Sequence, residues 1–534
     1  MESFLSSKKQ SWLSWFLRGF LIFGFLVLIS RLVDLTIIRG DYYRTLSEGN
    51  RIRRVPIVAT RGRIMARGGE VLVGNKSNDK KRTSEDQMIV DWTRDYLLGS
   101  DFAHVSGFLG EVTKEELGKV KAQCPDKGPR KLGSYVGRGG LEEEYDCSLR
   151  GVDGEELVEV DAQGKKVRII GRRDPLVGDD LRTSIHYGLQ KKVAKLMNDE
   201  KGAIVVSDSM GEILALYSAP SFDPNVFITG DAESINRILS DRELPLFNRV
   251  LGGIYHPGSV FKPVVAVAAL EEGKIDENFL YEDAGQIIID TPYGKFDYKN
   301  WYFTQYGAVE GKIDITRALA RSTDTFFYKL GEFLGVEKIG FWAAKFGLSE
   351  KTGIDLPGEI AGLIPSPSWK LRVKGESWFL GNTYHMSIGQ GDVAITPLAI
   401  NAAISAIARN GVYCQPHLAI EERLGNDKCV ELEINKKSID LVKKGMIGAC
   451  SPEGTSVAFF DFSKIYGIDV ACKTGTAETE EKDKTHAWFV VFAPVDFPEI
   501  VVTVLVEKGG EGSKIAAPIA REIFDYWFEN GNKE

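Results

Sequence analysis

The chain has 534 residues, 43% of them hydrophobic and 27% charged. That composition is globular and not disordered, and at ~150 residues per domain it allows three or four units. Its net charge of −8 and its lack of any P-loop, dinucleotide or zinc-finger fingerprint exclude the usual nucleic-acid and nucleotide binders.

The first 40 residues differ from the rest. Trp12 to Ile29 is apolar, interrupted by Ser14 and Arg18, and the apolar character ends at Ile37-Ile38. A membrane-spanning helix needs about 20 such residues. Lys8 and Lys9 precede the run and predict an N-terminus on the cytoplasmic side. Residues 1–11 are therefore read as a cytoplasmic tail and 12–38 as a single-pass anchor in the cytoplasmic (inner) membrane, with everything beyond outside the cytoplasm or in the periplasm. A cleaved signal peptide competes, but the segment is long for one and no small-x-small site directly follows it.

From 40 to 180, strand-like runs such as "RIRRVPIVAT" and "EELVEVDAQGKKVRII" alternate with turns. They predict a β-rich, elongated pedestal. "NKSNDKKRTSEDQ", Asn75 to Gln87, reads as an exposed loop. The pattern changes at 181. "LRTSIHYGLQKKVAKLM" ends in a helical period, and "GAIVVSD" and "GEILALYSAP" predict a hairpin. Helices dominate from 259 to about 410. Three strands, "YGIDVACKTGTAE", "HAWFVVFAP" and "EIVVTVLVE", precede a terminal helix. Early strands, late strands and helices between them predict an α+β domain over 181–534, its sheet joining the two ends of one chain.

The six cysteines form no C-x-x-C and the six histidines no H-E-x-x-H, so no metal and no cofactor is predicted. Cys414 and Cys429 flank a possible hairpin. They either pair, which an extracytoplasmic location permits, or stand as buried thiols.

Three short stretches carry chemistry. In "HPGSVFKPVVAVAAL", Ser259 and Lys262 are three apart, so a helix starting at the serine brings hydroxyl and amine to one face. A serine needs a base to act as a nucleophile, and burial or a nearby cation lowers a lysine's pKa enough for that role. The bland alternative is an N-cap serine on a buried helix. In "ARSTDTFFYKLG", a turn between helices presents Ser322, a proton relay, and Asp324, a partner for a lysine or an amide. Alone, it is equally a capping serine with an exposed aspartate. In "CKTGTAE", Lys473, Thr474, Gly475 and Thr476 lie on a strand. Lysine and threonine suit a carboxylate, the glycine marks the close approach of a ligand's backbone, and the backbone N–H groups of Ser259 and Thr476 would form an oxyanion hole; alone, the stretch is equally an ordinary edge strand with a lysine. Ser-x-x-Lys, Ser-x-Asp and Lys-Thr-Gly-Thr in that order make the signature set of serine acyl-transfer enzymes that react with penicillin.

Around these motifs, "YHPGSVFKP", "STDTFFYKLG", "KTGIDLPGEIAGLIPSPSWK", "SIGQGDVAITPLAI" and "KTGTAE" resemble the class B penicillin-binding proteins of the elongation subtype, penicillin-binding protein 2. "RGRIMARGGEVL", "GLEEEYDCSLRG" and "SAPSFDPN" extend the resemblance into the amino-terminal half. It implies an anchor, a pedestal resembling a dimerisation domain over 40–180, and a transpeptidase domain built on a five-stranded antiparallel sheet flanked by helices, as in serine β-lactamases. It implies a serine-type D-Ala-D-Ala transpeptidase, covalently inhibited by β-lactams, that cross-links peptidoglycan stem peptides during wall elongation and shape maintenance. Ser259 would attack the D-Ala-D-Ala carbonyl and Lys262 take its proton. Ser322 and Lys473 would assist proton transfer, with Asp324 beside them, and Lys473, Thr474, Gly475 and Thr476 would bind the terminal carboxylate. A stem-peptide amine would resolve the acyl-enzyme. Family habit also implies a polytopic glycan polymerase and other elongation-complex proteins as partners.

The chain departs from the family in places. Asp324 stands where Asn is commoner, although the elongation subtype uses Asp. Cys472 replaces the usual Gly, as either an acidified, oxidisable thiol or a quiet half-buried one. Ala66 and Gly68 replace an Asp and an Asn of the pedestal. Relatives with zinc use His and Cys ahead of the second motif, and neither residue occurs between Ser259 and Ser322. Competing readings are a septal (division) class B transpeptidase, a β-lactamase, a β-lactam sensor, and an inactive scaffold that activates a glycan polymerase. "STDTFFY" favours elongation, and intact Ser259, Lys262 and Lys473 argue against a scaffold.

Overall fold

A computed structural model of the chain describes residues 12–78, 91–119, 121, 124–161, 163–197, 199–292, 294–420 and 429–530. The chain divides into two compact units, Met1–Thr60 with Gly151–Val177, and Arg61–Arg150 with Gly178–Glu534.

In the first unit the apolar run forms a helix over Trp12–Val33 that continues as a π-helical turn to Ile38. An 18-residue stretch of this 27-residue helix has a mean hydropathy of 2.3, and the helix buries none of its side chains within the protein, so it is long and apolar enough to cross a membrane. A polar helix, Gly40–Arg51, follows. Strand Ile52–Ile57 then pairs antiparallel with Gly154–Val160, which pairs in turn with Lys166–Arg173. The runs read as strands from the sequence thus form a three-stranded sheet. Glu159 in its middle strand is clamped by Arg168 at 2.5 Å and by Arg51.

The second unit opens with strands Ile64–Met65, Val71–Asn78 and Asp91–Tyr96. The expectation of a loop over Asn75 to Gln87 is corrected at its start, because Asn75–Asn78 extend the second of these strands and pair with Asp91–Arg94. Residues 79–87 lie outside the described residues. The buried Glu142 carboxylate accepts from Arg94 at 2.7 Å and forms an ion pair with Arg61 at 2.8 Å, so each of these buried charges has a partner of opposite sign. Asn225, from "SAPSFDPN", completes the free edge at Tyr96. Its amide donates to the Tyr96 carbonyl and accepts from the Tyr96 N–H, both at 3.0 Å, as a neighbouring strand would.

The large sheet of this unit has strands β1 (Gly202–Ser207), β2 (Ile213–Ala219), β3 (Ala471–Glu478), β4 (Thr485–Ala493) and β5 (Ile500–Val506). Their order is β2-β1-β5-β4-β3, antiparallel throughout. As expected, the sheet joins the hairpin near residue 200 to the last three strands, and β3 is one edge. The helices that matter are α1 (Tyr187–Leu196), α2 (Lys262–Glu271), α3 (Ile315–Arg321), α4 (Asp324–Lys345), α5 (Leu380–Ser387), α6 (Pro397–Ala408), α7 (Lys436–Cys450) and α8 (Ala516–Asn530). Alternation along β4 sorts its side chains into two cores. Trp488, Val490 and Phe492 face α2, α4 and α6, while Ala487, Phe489 and Val491 face α1 and α8. Antiparallel strands usually wet one face. Here helices cover both, so "VVTVLV" is nearly all apolar, and its one polar side chain, buried Thr503, accepts from Asn401 of α6 at 3.3 Å.

Replacing Asn225 with Ala leaves two buried main-chain groups of Tyr96 without their partner. The unfolding free energy is expected to fall by about 1–3 kcal/mol, read as a lower thermal midpoint by calorimetry on the detergent-solubilised chain.

Candidate active site

The serine-bearing turn is locally encoded. Pro263 has no N–H and fits only in a helix's first turn, so α2 begins at Lys262, three residues later than the sequence suggests, after a 3₁₀ turn over Gly258–Phe261. The half-buried Ser259 sits in that turn, and its carbonyl accepts from the Lys262 N–H. Two contacts fix the turn in space: the Gly258 N–H donates to the Gly389 carbonyl at 2.9 Å, and Trp488 Nε1 donates to the His256 carbonyl at 3.0 Å.

Lys262 lies in the core. Its Nζ donates to the Ser322 carbonyl at 2.8 Å, to Ser322 Oγ at 3.3 Å and to Asp324 Oδ1 at 2.6 Å. Ser322 is the first of the two residues between α3 and α4, in the left-handed region at φ 57°, a conformation that turns its carbonyl and its hydroxyl into the site. Lys473 reaches the same hydroxyl from β3, with Nζ 2.8 Å from Ser322 Oγ and 3.1 Å from the Thr474 carbonyl. Lys262, Ser322, Asp324 and Lys473 thus share one buried hydrogen-bonded cluster. Among the described residues no hydrogen bond engages the Ser259 hydroxyl, since Lys262 directs its protons to Ser322 and Asp324.

Burial pushes the Lys262 pKa down, and the Asp324 carboxylate pulls against that shift. Burial pushes Lys473 down much further, and here the charge of Lys262 adds to it. The two amines therefore differ: Lys262 donates directly to the Asp324 carboxylate, whereas Lys473 donates to a hydroxyl and a carbonyl and feels that carboxylate less than it feels the charge of Lys262.

Asp324 is itself held by residues that sequence reasoning did not single out. Its Oδ2 accepts from the Trp301 N–H at 3.2 Å, and its own N–H donates to Asn300 Oδ1 at 3.3 Å. Asn300 Nδ2 donates at 3.2 Å to Asp283, a buried carboxylate that also accepts from Thr325 Oγ1 at 2.6 Å and from the Gly285 and Glu310 N–H groups. Asn300 precedes a short helix without capping it. That idle cap position is the one local sign that its side chain works elsewhere.

The edge strand carries the remaining candidates. Gly475 marks a close approach, but of the protein's own serine turn. A Cβ there would stand 3.0 Å from the Pro257 carbonyl oxygen and from Val260, and 2.9 Å from Trp488. Thr474 Oγ1 lies 3.0 Å from Thr455 Oγ1, another residue missed in the sequence, and the Thr476 carbonyl accepts from Gln390 Nε2 at 3.3 Å. A Cβ on Gly258 would come 3.0 Å from that carbonyl oxygen, so the serine turn and Thr476 are neighbours. Cys472 is neither reactive nor half-buried: it is buried and disulfide-bonded to Cys450 at the end of α7. Cys414 pairs with Cys429 across the hairpin the sequence left open, and Cys124 pairs with Cys147.

A serine turn, two buried lysines sharing one hydroxyl, and a Lys-Thr-Gly edge strand define the site of a penicillin-recognising serine acyltransferase. The comparisons agree. Residues 202–525 match the Penicillin binding protein transpeptidase domain, and 80–183 match the Penicillin-binding Protein dimerisation domain. The chain is 32% identical to the peptidoglycan D,D-transpeptidase MrdA of Acinetobacter baumannii, over 96% of this chain and 87% of that protein. It is 28% identical to the Escherichia coli protein of the same name, over 94% and 91%. A Pseudomonas aeruginosa PBP2 crystal structure in complex with WCK 5153 superposes with a TM-score of 0.74 at 31% identity, covering 89% of this chain and 96% of that one. A Helicobacter pylori PBP2 in complex with MreC gives 0.75 at 26% identity, covering 90% and 99%. The chain belongs to the penicillin-binding protein transpeptidase family, and within it to the class B, penicillin-binding protein 2 type.

Two outcomes follow from this geometry. Asp324→Asn removes the charge that raises the Lys262 pKa while keeping an acceptor oxygen. More neutral lysine is then present at a given pH, so the rising limb of the penicillin acylation rate against pH should move to lower pH, measured by stopped-flow acylation. Replacing Cys450 and Cys472 together with Ala removes the crosslink spanning 22 residues. It is expected to cost about 3 kcal/mol in chemical denaturation.

Proposed function

We propose that the chain is the serine D,D-transpeptidase that cross-links peptidoglycan stem peptides during wall elongation, with Ser259 as nucleophile. The observation that carries this reading is the Ser322 hydroxyl held between Lys262 and Lys473, beside the serine turn and the edge strand. The relatives' name, peptidoglycan D,D-transpeptidase MrdA, supports elongation over a septal role. The intact acid–base cluster supports an enzyme over a scaffold.

The donor's terminal carboxylate binds at Lys473, Thr474 and Thr476, with the main chain of Gly475 alongside. A carboxylate arriving beside Lys473 favours its ammonium form. The shortest route for the proton is from Lys262 through Ser322 Oγ, which accepts from both lysines. Lys262 is left neutral when Ser259 needs a base. Ser259 Oγ then attacks the carbonyl of the penultimate D-Ala, and Lys262 takes the serine proton. The N–H groups of Ser259 and Thr476 receive the developing oxyanion. Ser322 returns a proton to the leaving D-Ala, and an amine of a neighbouring stem peptide resolves the acyl-enzyme. A β-lactam follows the first half of this course and stays attached.

The division into tail 1–11, anchor 12–38, pedestal 40–180 and transpeptidase domain 181–534 belongs to the same proposal. So does an N-terminus in the cytoplasm with the catalytic domain outside it, in line with Lys8 and Lys9 ahead of the apolar helix. The Helicobacter pylori PBP2 was solved with MreC, and another similar structure is a peptidoglycan synthase complex. Both support elongation-complex proteins and a membrane-embedded glycan polymerase as partners.

Fluorescent penicillin added to the detergent-solubilised chain should leave a stable covalent label that Ser259→Ala lacks. Equal labelling of the two proteins overturns the assignment, and release of the label within seconds points to a lactamase.

A further inference from the structure

An oxyanion hole built from Ser259 and Thr476 takes one main-chain donor from a 3₁₀ turn and the other from β3. Strand β3 is an edge of its sheet, paired with β4 on one side only, so no strand of that sheet sets the position of its other side. The segment Gly389–Ile395, between α5 and α6, lies along the serine turn. The Tyr255 and Ile395 main chains exchange hydrogen bonds at 3.0 and 2.9 Å, His256 Nδ1 lies 2.6 Å from the Val393 carbonyl oxygen, and the Gly258 N–H donates to the Gly389 carbonyl. The approach at Gly389 is close. Its φ is 70°, and a Cβ there would stand 2.4 Å from the Gly258 carbonyl oxygen and 2.8 Å from Phe261 Cβ, a place that only glycine fits.

Gln390, the next residue, carries this brace across to the strand. Its Nε2 donates to the Thr476 carbonyl at 3.3 Å, and its own N–H donates to the His385 carbonyl at 2.8 Å, at the end of α5. The residue is buried. The carbonyl oxygen it meets also lies against the serine turn, 3.0 Å from where a Cβ on Gly258 would stand. Turn, strand and brace thus come together at one main-chain oxygen. An apolar side chain would fill the same space but leave that oxygen without this donor. The brace is anchored two residues further on, where Asp392 accepts from Lys370 at 3.2 Å and pairs with Lys374.

We propose that Gln390 is a positioning residue of the oxyanion hole: together with Gly389 it spans the two halves of the hole and keeps the Thr476 N–H in register with the Ser259 N–H. This goes beyond the transpeptidase reading and rests on it. Gln390 touches neither the reacting carbonyl nor the Ser259 hydroxyl, and it acts only through where it holds the strand. Both donors must lie about 3 Å from one oxygen that becomes an anion only on attack, so the contact counts in the acylation step and little in the first encounter. The carboxylate-binding residues are fastened independently, Lys473 by Ser322 and Thr474 by Thr455. Loss of the Gln390 contact therefore loosens the oxyanion hole and spares the carboxylate site.

The test compares wild type with Gln390→Met, which keeps the bulk and removes the donor, and with Gln390→Ala, which removes both. Stopped-flow acylation of the detergent-solubilised chain by benzylpenicillin, over a range of concentrations, separates the dissociation constant of the first complex from the first-order acylation constant. In Gln390→Met the acylation constant should fall about tenfold, because small misplacements of catalytic groups are that costly. The dissociation constant should stay within about twofold. Gln390→Ala should fall at least as far. The infrared band of the acyl-enzyme ester, isolated by isotopic labelling of the β-lactam carbonyl carbon, is the second readout. An ester carbonyl that has lost a hydrogen-bond donor absorbs at higher frequency, so the band should move up in both variants. It is read only from acylated molecules, and the rate constant is first-order, so a smaller folded fraction imitates neither effect. An unmoved acylation constant and band, or a loss that falls on the dissociation constant alone, overturns the proposal. So does labelling lost from both variants together with their thermal midpoint, which makes Gln390 a support of the fold. If wild type takes no label, the transpeptidase reading falls and this inference with it; if wild type labels and Gln390→Met matches it, the Gln390 role falls alone.

Discussion

Two lysine side chains converge on one buried hydroxyl, Ser322 Oγ, at 2.8 and 3.3 Å. Two ammonium groups cannot both be kept in so dry a place, because each has lost its water and each raises the cost of the other. Asp324 at 2.6 Å from Lys262 decides the distribution. Its carboxylate holds the Lys262 pKa up against burial, whereas burial and the charge of Lys262 together push Lys473 well down. The chain has an aspartate where an asparagine would leave one unbalanced charge. The surrounding packing serves that cluster: α3 and α4 meet at Ser322 in the left-handed conformation, α2 delivers Lys262 from its first residue, and β3 delivers Lys473.

Holding the carboxylate in place takes a further layer. Asp324 is fixed through Asn300 and the Trp301 N–H, and Asn300 through Asp283, whose two oxygens accept four hydrogen bonds. Each of these groups is buried or half-buried, so leaving any one unpaired is costly. The chain of contacts makes the geometry of the acid–base cluster a property of residues 283 to 325 as a body. The strand side is fastened separately, by the Cys450–Cys472 disulfide and by Thr455 against Thr474.

Much of the catalytic part was legible in the sequence for reasons that are local. Strands β1 to β5 are short apolar runs bounded by turns, and the reactive residues stand at fixed spacings in motifs. The start of α2 was misjudged because a serine after Pro-Gly looks like an N-cap, whereas Pro263 sets the first α-helical residue at Lys262. Asn300, Asp283 and Thr455 were invisible. Each is a single polar residue whose partner lies far along the chain, and no period or spacing marks such a contact. The fate of Cys472 was hidden for the same reason, since only the fold brings the end of α7 to β3.

Gly475 shows how closely the two halves of the site depend on each other. It was read as room for a ligand, and the space is filled by the Pro257 carbonyl, Val260 and Trp488. A side chain there would push the serine turn off the strand. In the mechanism we propose, the turn and the strand must touch for the Ser259 and Thr476 N–H groups to address one oxygen, and the edge of β3 must stay free for a peptide to lie along it. Those two demands fix which side of the strand is packed and which is open. Lys473, Gly475 and Ala477 face the serine turn and the core around α2, and Thr474 and Thr476 take the opposite face, where Cys472 enters the second core. The alternation that makes a strand thus also divides this one between catalysis and recognition.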